Sequence, residues 1–144
     1  ISAENMLKVF TANTVIPSLW LKNLTPHLKS TEPCKVALFS ARIGSISDNQ
    51  LGGWYSYRAS KAALNMMVKT FSVELARRAK NVKLLAFHPG TTDTPLSEPF
   101  QRSVPEGKLF TPEFVAAQLL SLLETLEMDG KASYMDWKHQ SITW

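Results

Sequence analysis

The chain has 144 residues, enough for one domain around one hydrophobic core. Its 44% hydrophobic and 19% charged residues exclude a disordered or fibrous polymer, and no apolar run is long enough to span a bilayer. The net charge of +4 is spread along the chain, with no aromatic-interleaved basic stripe, so neither nucleic acid nor a membrane is expected as a partner.

Residues from about Glu4 to Leu28 carry apolar positions at helical spacing (Leu7, Phe10, Val15, Leu19, Leu24), with Pro17 expected to kink the helix or remove one hydrogen bond. After a Ser30–Pro33 turn, Lys35 to Ser40 is a short strand whose lack of alternation predicts burial on both faces. A polar loop with Gly44, Gly52 and Gly53 leads to a long helix from about Trp54 to Arg78, closed by the Arg77-Arg78 pair that complements the macrodipole. Val82 to Phe87 is a second buried strand. The segment from His88 to Phe110 holds four of the eight prolines and reads as a loop. Thr111-Pro112 opens a further helix, Thr at the N-cap and Pro at N1, ending near Glu127, and Ala132 to Met135 is a third strand. Alternating helices and strands predict right-handed crossovers and an α/β fold with a parallel sheet. The first strand would then present an apolar edge, which proteins normally cover. The start, Ile1-Ser2-Ala3-Glu4-Asn5, has neither an initiating Met nor the pattern of a signal peptide, so the chain is expected to be cut from something longer. Cys34 is the only cysteine and cannot form an intrachain disulfide, which fits a reducing, cytoplasmic setting.

The residues with the most chemistry to offer are Tyr57 and Lys61. Four apart at the start of a helix, they share one face. A tyrosine hydroxyl has a pKa of about 10, and a nearby ammonium favours the phenolate. Such a pair can give a proton to a carbonyl oxygen or take one from an alcohol. His27, His88 and His139 are far apart and show no ligand spacing, so no metal is expected.

Tyr57-Arg58-Ala59-Ser60-Lys61-Ala62-Ala63-Leu64-Asn65 resembles the start of the active-site helix of the short-chain dehydrogenase/reductase family. Phe10 to Pro17 (FTANTVIP) is similar to the helix that carries the family's active-site asparagine, which falls on Asn13. His88 to Pro95 (HPGTTDTP) resembles the family's Pro-Gly-x-x-x-Thr segment. Together with Gly44-Ser45-Ile46 and Gly52-Gly53, these motifs are closest to the carbonyl reductases of the sniffer and C-factor type. The resemblance covers nearly the whole chain. It implies one domain, residues 1–144, forming the C-terminal portion of a Rossmann-type doubly wound parallel sheet.

By the same resemblance, the chain belongs to an oxidoreductase that transfers hydride between NAD or NADP and a small-molecule carbonyl or alcohol. Tyr57 would be the general acid or base. Lys61 would lower its pKa and bond the nicotinamide ribose, and Asn13 would hold a relay water near Lys61. Pro89, Gly90, Thr92 and Thr94 would wrap the nicotinamide end. Leu96 and Phe100 fall where the family builds its substrate lid. The two long helices would join a homo-oligomer. The active-site serine is the departure: Ser40 matches the first member of the family's Ser-Ser pair, and Ala41 occupies the catalytic place. Ser45 lies twelve residues before Tyr57, close to the family's separation; strand alternation favours it slightly over Ser40, and both stay open alongside neither. None of the six glycines forms the pyrophosphate-binding turn that follows the family's first strand. An alternative is therefore a catalytically incomplete fragment acting as an interaction or signalling module.

Overall fold

In the computed structural model, which describes residues 1–144, the first amphipathic segment is a helical rod with one wide turn in it. Helix α1 spans Ala3–Phe10, a π turn spans Thr11–Val15, and α2 spans Ile16–Leu28. The Ser2 hydroxyl caps α1 by accepting from the Asn5 N–H at 3.2 Å. Pro17 has no N–H to offer Asn13, and its ring would crowd the Asn13 carbonyl in a regular α turn. The backbone widens into the π turn at Thr11–Val15, just ahead of Pro17, which is how the expected kink or lost hydrogen bond is accommodated.

The other elements follow in the predicted order. Strand β1 (Cys34–Phe39) leads through a 3-10 turn at Arg42–Gly44 to α3 (Tyr55–Arg78), then β2 (Val82–His88), α4 (Pro112–Thr125) and β5 (Ser133–Asp136). The sheet has the order β1-β2-β5, with both pairs parallel. Cys34 stands opposite Val82 and Phe39 opposite Phe87; Leu85 stands opposite Ser133 and His88 opposite Asp136. This is the predicted parallel arrangement, with strand ends shifted by about one residue.

Alternation along β2 divides its side chains between two cores. Leu84 and Ala86 join Leu21, Leu64, Val68 and Leu75 beneath α2 and α3. Leu85 and Phe87 join Val115, Leu122 and Leu126 beneath α4. Helices therefore cover both faces, which is why β2 reads as a continuous apolar run. Lys83 interrupts that run yet is only 2% exposed; its ammonium reaches the Asp129 carboxylate in the turn before β5. A buried amine is tolerated only with such a partner.

Two elements escaped the sequence reading. Thr91–Thr92 (β3) and Leu109–Phe110 (β4) form a two-residue parallel ladder, so the expected loop is tied at its base and only residues 93–108 bulge from it. Within that bulge, Glu98–Ser103 forms a 3-10 turn. No helix is long and apolar enough to cross a membrane.

Candidate active site

In a parallel sheet all strands end on one side, and the crevice outside those carboxyl ends is the natural binding place. Here β1 and β2 end side by side, and Ser40 extends their ladder by donating its N–H to the Phe87 carbonyl at 2.8 Å. Beyond them opens a cleft of about 1340 Å³. Its wall includes Ser40 and Ala41 after β1, Tyr57 and Lys61 from α3, and His88 to Thr92 and Thr94 after β2.

Tyr57 and Lys61 share one face of α3, with the Lys61 ammonium 5.8 Å from the centre of the Tyr57 ring. That ammonium donates to the Phe39 carbonyl at 2.9 Å, at the very end of β1. Burial lowers the Lys61 pKa. Burial also pushes the Tyr57 phenol above its ordinary value of 10.0. The expected lowering of the Tyr57 pKa by Lys61 is therefore not what this structure delivers. The phenol loses solvent on burial, and that desolvation sets the direction of the shift.

Gly44 sets the distance between the Arg42–Gly44 turn and α3. A Cβ there would lie 2.8 Å from both the carbonyl carbon and the Cβ of Lys61. From the other side, Asn13 donates its Nδ2 to the Ser60 hydroxyl at 3.1 Å, and Thr14 donates its hydroxyl to the Ser60 carbonyl at 2.8 Å. The π turn is thus fastened to the residue just before Lys61. Asn13 lies against α3, and its amide is held by Ser60.

The two serines part company. Ser40 lines the cleft, but its hydroxyl donates to the Asn65 side-chain oxygen at 2.6 Å. Asn65 in turn donates to the Gly44 carbonyl at 3.3 Å. Ser45 is buried in the turn, where its hydroxyl accepts from the Asp48 N–H at 3.2 Å, and it is not part of the cleft wall. The slight preference for Ser45 from alternation and spacing finds no geometric support, because the Ser45 side chain is buried beside the Arg42–Gly44 turn and bonded there to the Asp48 N–H. Ala41 itself lines the cleft, its carbonyl accepting from the Tyr134 hydroxyl at 2.6 Å.

On the opposite wall, Gly90 has φ +77, and a Cβ there would meet the Phe110 ring at 2.7 Å. Only glycine lets the Pro89-Gly90 turn lie against the aromatic cluster of Phe110, Phe114 and Trp137. Thr92 uses its carbonyl to accept from the Ser97 hydroxyl, while its own hydroxyl is buried without a protein partner, as is Nδ1 of His88. Burial, reinforced by Arg42 and opposed by Asp136, pushes the His88 pKa down to about 4, leaving the ring neutral at neutral pH. A ligand group with both donor and acceptor character, such as a carboxamide, suits these two orphaned atoms. Sequence reasoning set His88 aside for want of a metal-ligand spacing; its place directly before Pro89-Gly90 was the available signal. Arg42, which bridges to Asp136 at 2.8 Å and Asp48 at 3.4 Å, gave no signal at all.

Comparison with known proteins bears on this geometry. The family described as short chain dehydrogenase matches residues 1–104. A 1-hydroxy-2-glutathionyl-2-methyl-3-butene dehydrogenase of Rhodococcus sp. is 37% identical over 126 residues, covering 86% of this chain and 53% of its own. The C-signal protein of Myxococcus xanthus is 29% identical over 140 residues, covering 97% of this chain and 79% of its own. The NADPH-bound carbonyl reductase from chicken fatty liver superimposes with a TM-score of 0.85 at 25% identity, over all of this chain and 59% of that one. The chain thus spans little more than half the length of the Rhodococcus and avian proteins.

Proposed function

Because this chain belongs to the short-chain dehydrogenase family, we propose that the protein is an NAD(P)-dependent oxidoreductase that reduces a small-molecule carbonyl, with Tyr57 as the proton donor. The observation that carries the reading is the placement of Tyr57 and Lys61 on one helix face, inside the cleft at the ends of β1 and β2. NAD(P)H, when bound, supplies the hydride. Tyr57, a protonated phenol at neutral pH, would give its proton to the developing alkoxide. Reduction is proposed over oxidation on the likeness to carbonyl reductases alone. Lys61 would bond the ribose and supply positive charge when the phenol gives up its proton. Asn13, whose amide bonds the Ser60 hydroxyl, would hold the relay water that reprotonates it. Pro89, Gly90, Thr92 and Thr94 would meet the nicotinamide end, which the unpaired Thr92 hydroxyl supports. With Ala41 in the catalytic serine's place and the Ser40 hydroxyl committed to Asn65, Tyr57 is left as the principal hydrogen-bond donor to the carbonyl oxygen.

The same reading includes a homo-oligomer in a cytoplasmic setting. Exposed Leu19 and Trp20 on α2 and Met66 and Val73 on α3 support association through the two long helices. The rival interaction or signalling module is not favoured, since the cleft and its paired Tyr57 and Lys61 are intact and the avian and Rhodococcus relatives bear enzyme names.

In the full-length protein, Tyr57→Phe should reduce NADPH-dependent turnover of carbonyl substrates by the roughly 10²–10⁴-fold of a lost general acid. Cofactor affinity should stay within about threefold, since the ring and Lys61 remain. Unchanged turnover would remove Tyr57 from the mechanism.

A further inference from the structure

The residues leading into α3 form a left-handed turn. Gly52, Gly53 and Trp54 have φ values of 63°, 66° and 53°. Two glycines accept this readily, but in Trp54 the Cβ crowds the following carbonyl, and such strain persists only where neighbouring contacts over-determine it. Arg58, the residue after Tyr57, provides those contacts: its Nε donates to the Gly52 carbonyl at 3.1 Å and the Gly53 carbonyl at 3.0 Å. The catalytic helix therefore clamps the turn that carries Trp54.

The result is an indole placed in the cleft wall one helical turn before Tyr57, still 52% exposed. Its ring meets Phe100 edge to face, with centroids 4.7 Å apart and planes at 69°. Phe100 belongs to the Glu98–Ser103 turn, so the contact joins the start of α3 to the 93–108 bulge across the cleft. Ile43, Tyr55 and Leu96 line the same cleft, and none of these five side chains is charged.

We propose that Trp54 is a specificity-determining residue that selects a bulky, uncharged ketone bearing an aromatic ring beside the carbonyl. The ring would lie against the Trp54–Phe100 pair while the oxygen meets the Tyr57 hydroxyl. This rests on the oxidoreductase reading for the site but makes a separate claim about binding. Aromatic contacts add to simple burial, and a small aliphatic ketone cannot make them.

The test compares propiophenone with 2-butanone on the full-length protein. Binding is measured by saturation-transfer NMR with NADP⁺ present, and turnover by NADPH absorbance. Trp54→Ala should weaken propiophenone binding about tenfold and raise its KM with little change in kcat, while 2-butanone is affected less than about twofold. Trp54→Phe should restore most of the loss, and Phe100→Ala should reproduce it from the other wall even if Trp54→Ala fails to fold. The proposal is overturned if both ketones weaken equally, if Trp54→Ala and Phe100→Ala change neither, or if the unmodified protein does not prefer propiophenone. Trp54-dependent binding without any reduction would leave this inference standing and sink the oxidoreductase reading instead.

Discussion

Gly44→Ala isolates the close approach that holds the Arg42–Gly44 turn against Lys61. The backbone of Gly44 is not left-handed, so alanine should stabilise by about 0.4–1 kcal/mol through the unfolded chain if there were room. There is none. The new Cβ would lie 2.8 Å from the carbonyl carbon and Cβ of Lys61 and 3.1 Å from the nitrogen of Ala62, whereas carbon atoms prefer roughly 3.5–4.0 Å. Two of those three atoms are helix backbone, which no rotamer change can move. Overpacking of this kind costs about 1–3 kcal/mol, and rigid neighbours argue for the upper end. The net expectation is a loss of about 2 kcal/mol after the entropy gain. Moving the turn also strains the Asn65 bond to the Gly44 carbonyl and the Gly44 N–H bond to the Ala41 carbonyl, at 3.3 and 2.8 Å. Urea unfolding measures the first effect; kcat, measured well below the unfolding midpoint, measures the displacement of Lys61. A variant as stable as the parent, or more so, would refute the claim that contact at Gly44 fixes the lysine.

Ala41→Ser should place a hydroxyl in the wall of the cleft that Tyr57 also lines and raise kcat by about tenfold or more, toward the roughly hundredfold typical of one oxyanion donor; a kcat equal to or below that of the parent would show that position 41 does not face the reacting oxygen. The Lys83–Asp129 pair predicts an acid-side loss of stability. The hydrogen bond from Lys83, the largest cause, holds the Asp129 carboxyl below its ordinary value of 3.8. The pair's contribution is therefore complete above about pH 4 and fades as pH falls through the lowered folded value. Asp129→Asn should flatten that part of a stability profile taken from pH 5 to pH 2, and an unchanged slope would place the acid sensitivity elsewhere.

Much of the architecture was legible because it depends on local periodicity. The apolar runs at Lys35–Ser40 and Val82–Phe87, separated by a long helical pattern, leave a parallel crossover as the natural connection, and the four-residue spacing of Tyr57 and Lys61 places them on one face whatever else the chain does. What was missed depends on distances between remote residues. Nothing near Lys83 in sequence announces that Asp129 will meet it inside the core. Asn65 reads as one polar residue in a helix until β1 brings Ser40 within 2.6 Å of it. A ladder as short as β3–β4 carries no pattern of its own. The direction of the Tyr57 pKa was misjudged for a related reason: spacing reports that a charge is near, but not how much solvent the phenol has lost.

The β3–β4 ladder divides labour within one connection. Thr91 and Thr92 pair with Leu109 and Phe110, and Asp93 donates its N–H to the Phe110 carbonyl at 2.8 Å. With its two feet laced together in this way, the excursion between them behaves as a cassette. Closing a chain of different length between fixed feet changes the free energy only slowly. If the Trp54–Phe100 pair selects the substrate as proposed, segments grafted between residues 95 and 108 should shift substrate preference while Tyr57, Lys61 and Thr94 stay in place. Evolution could diversify this protein's appetite by the same route, varying the cassette while selection holds the frame.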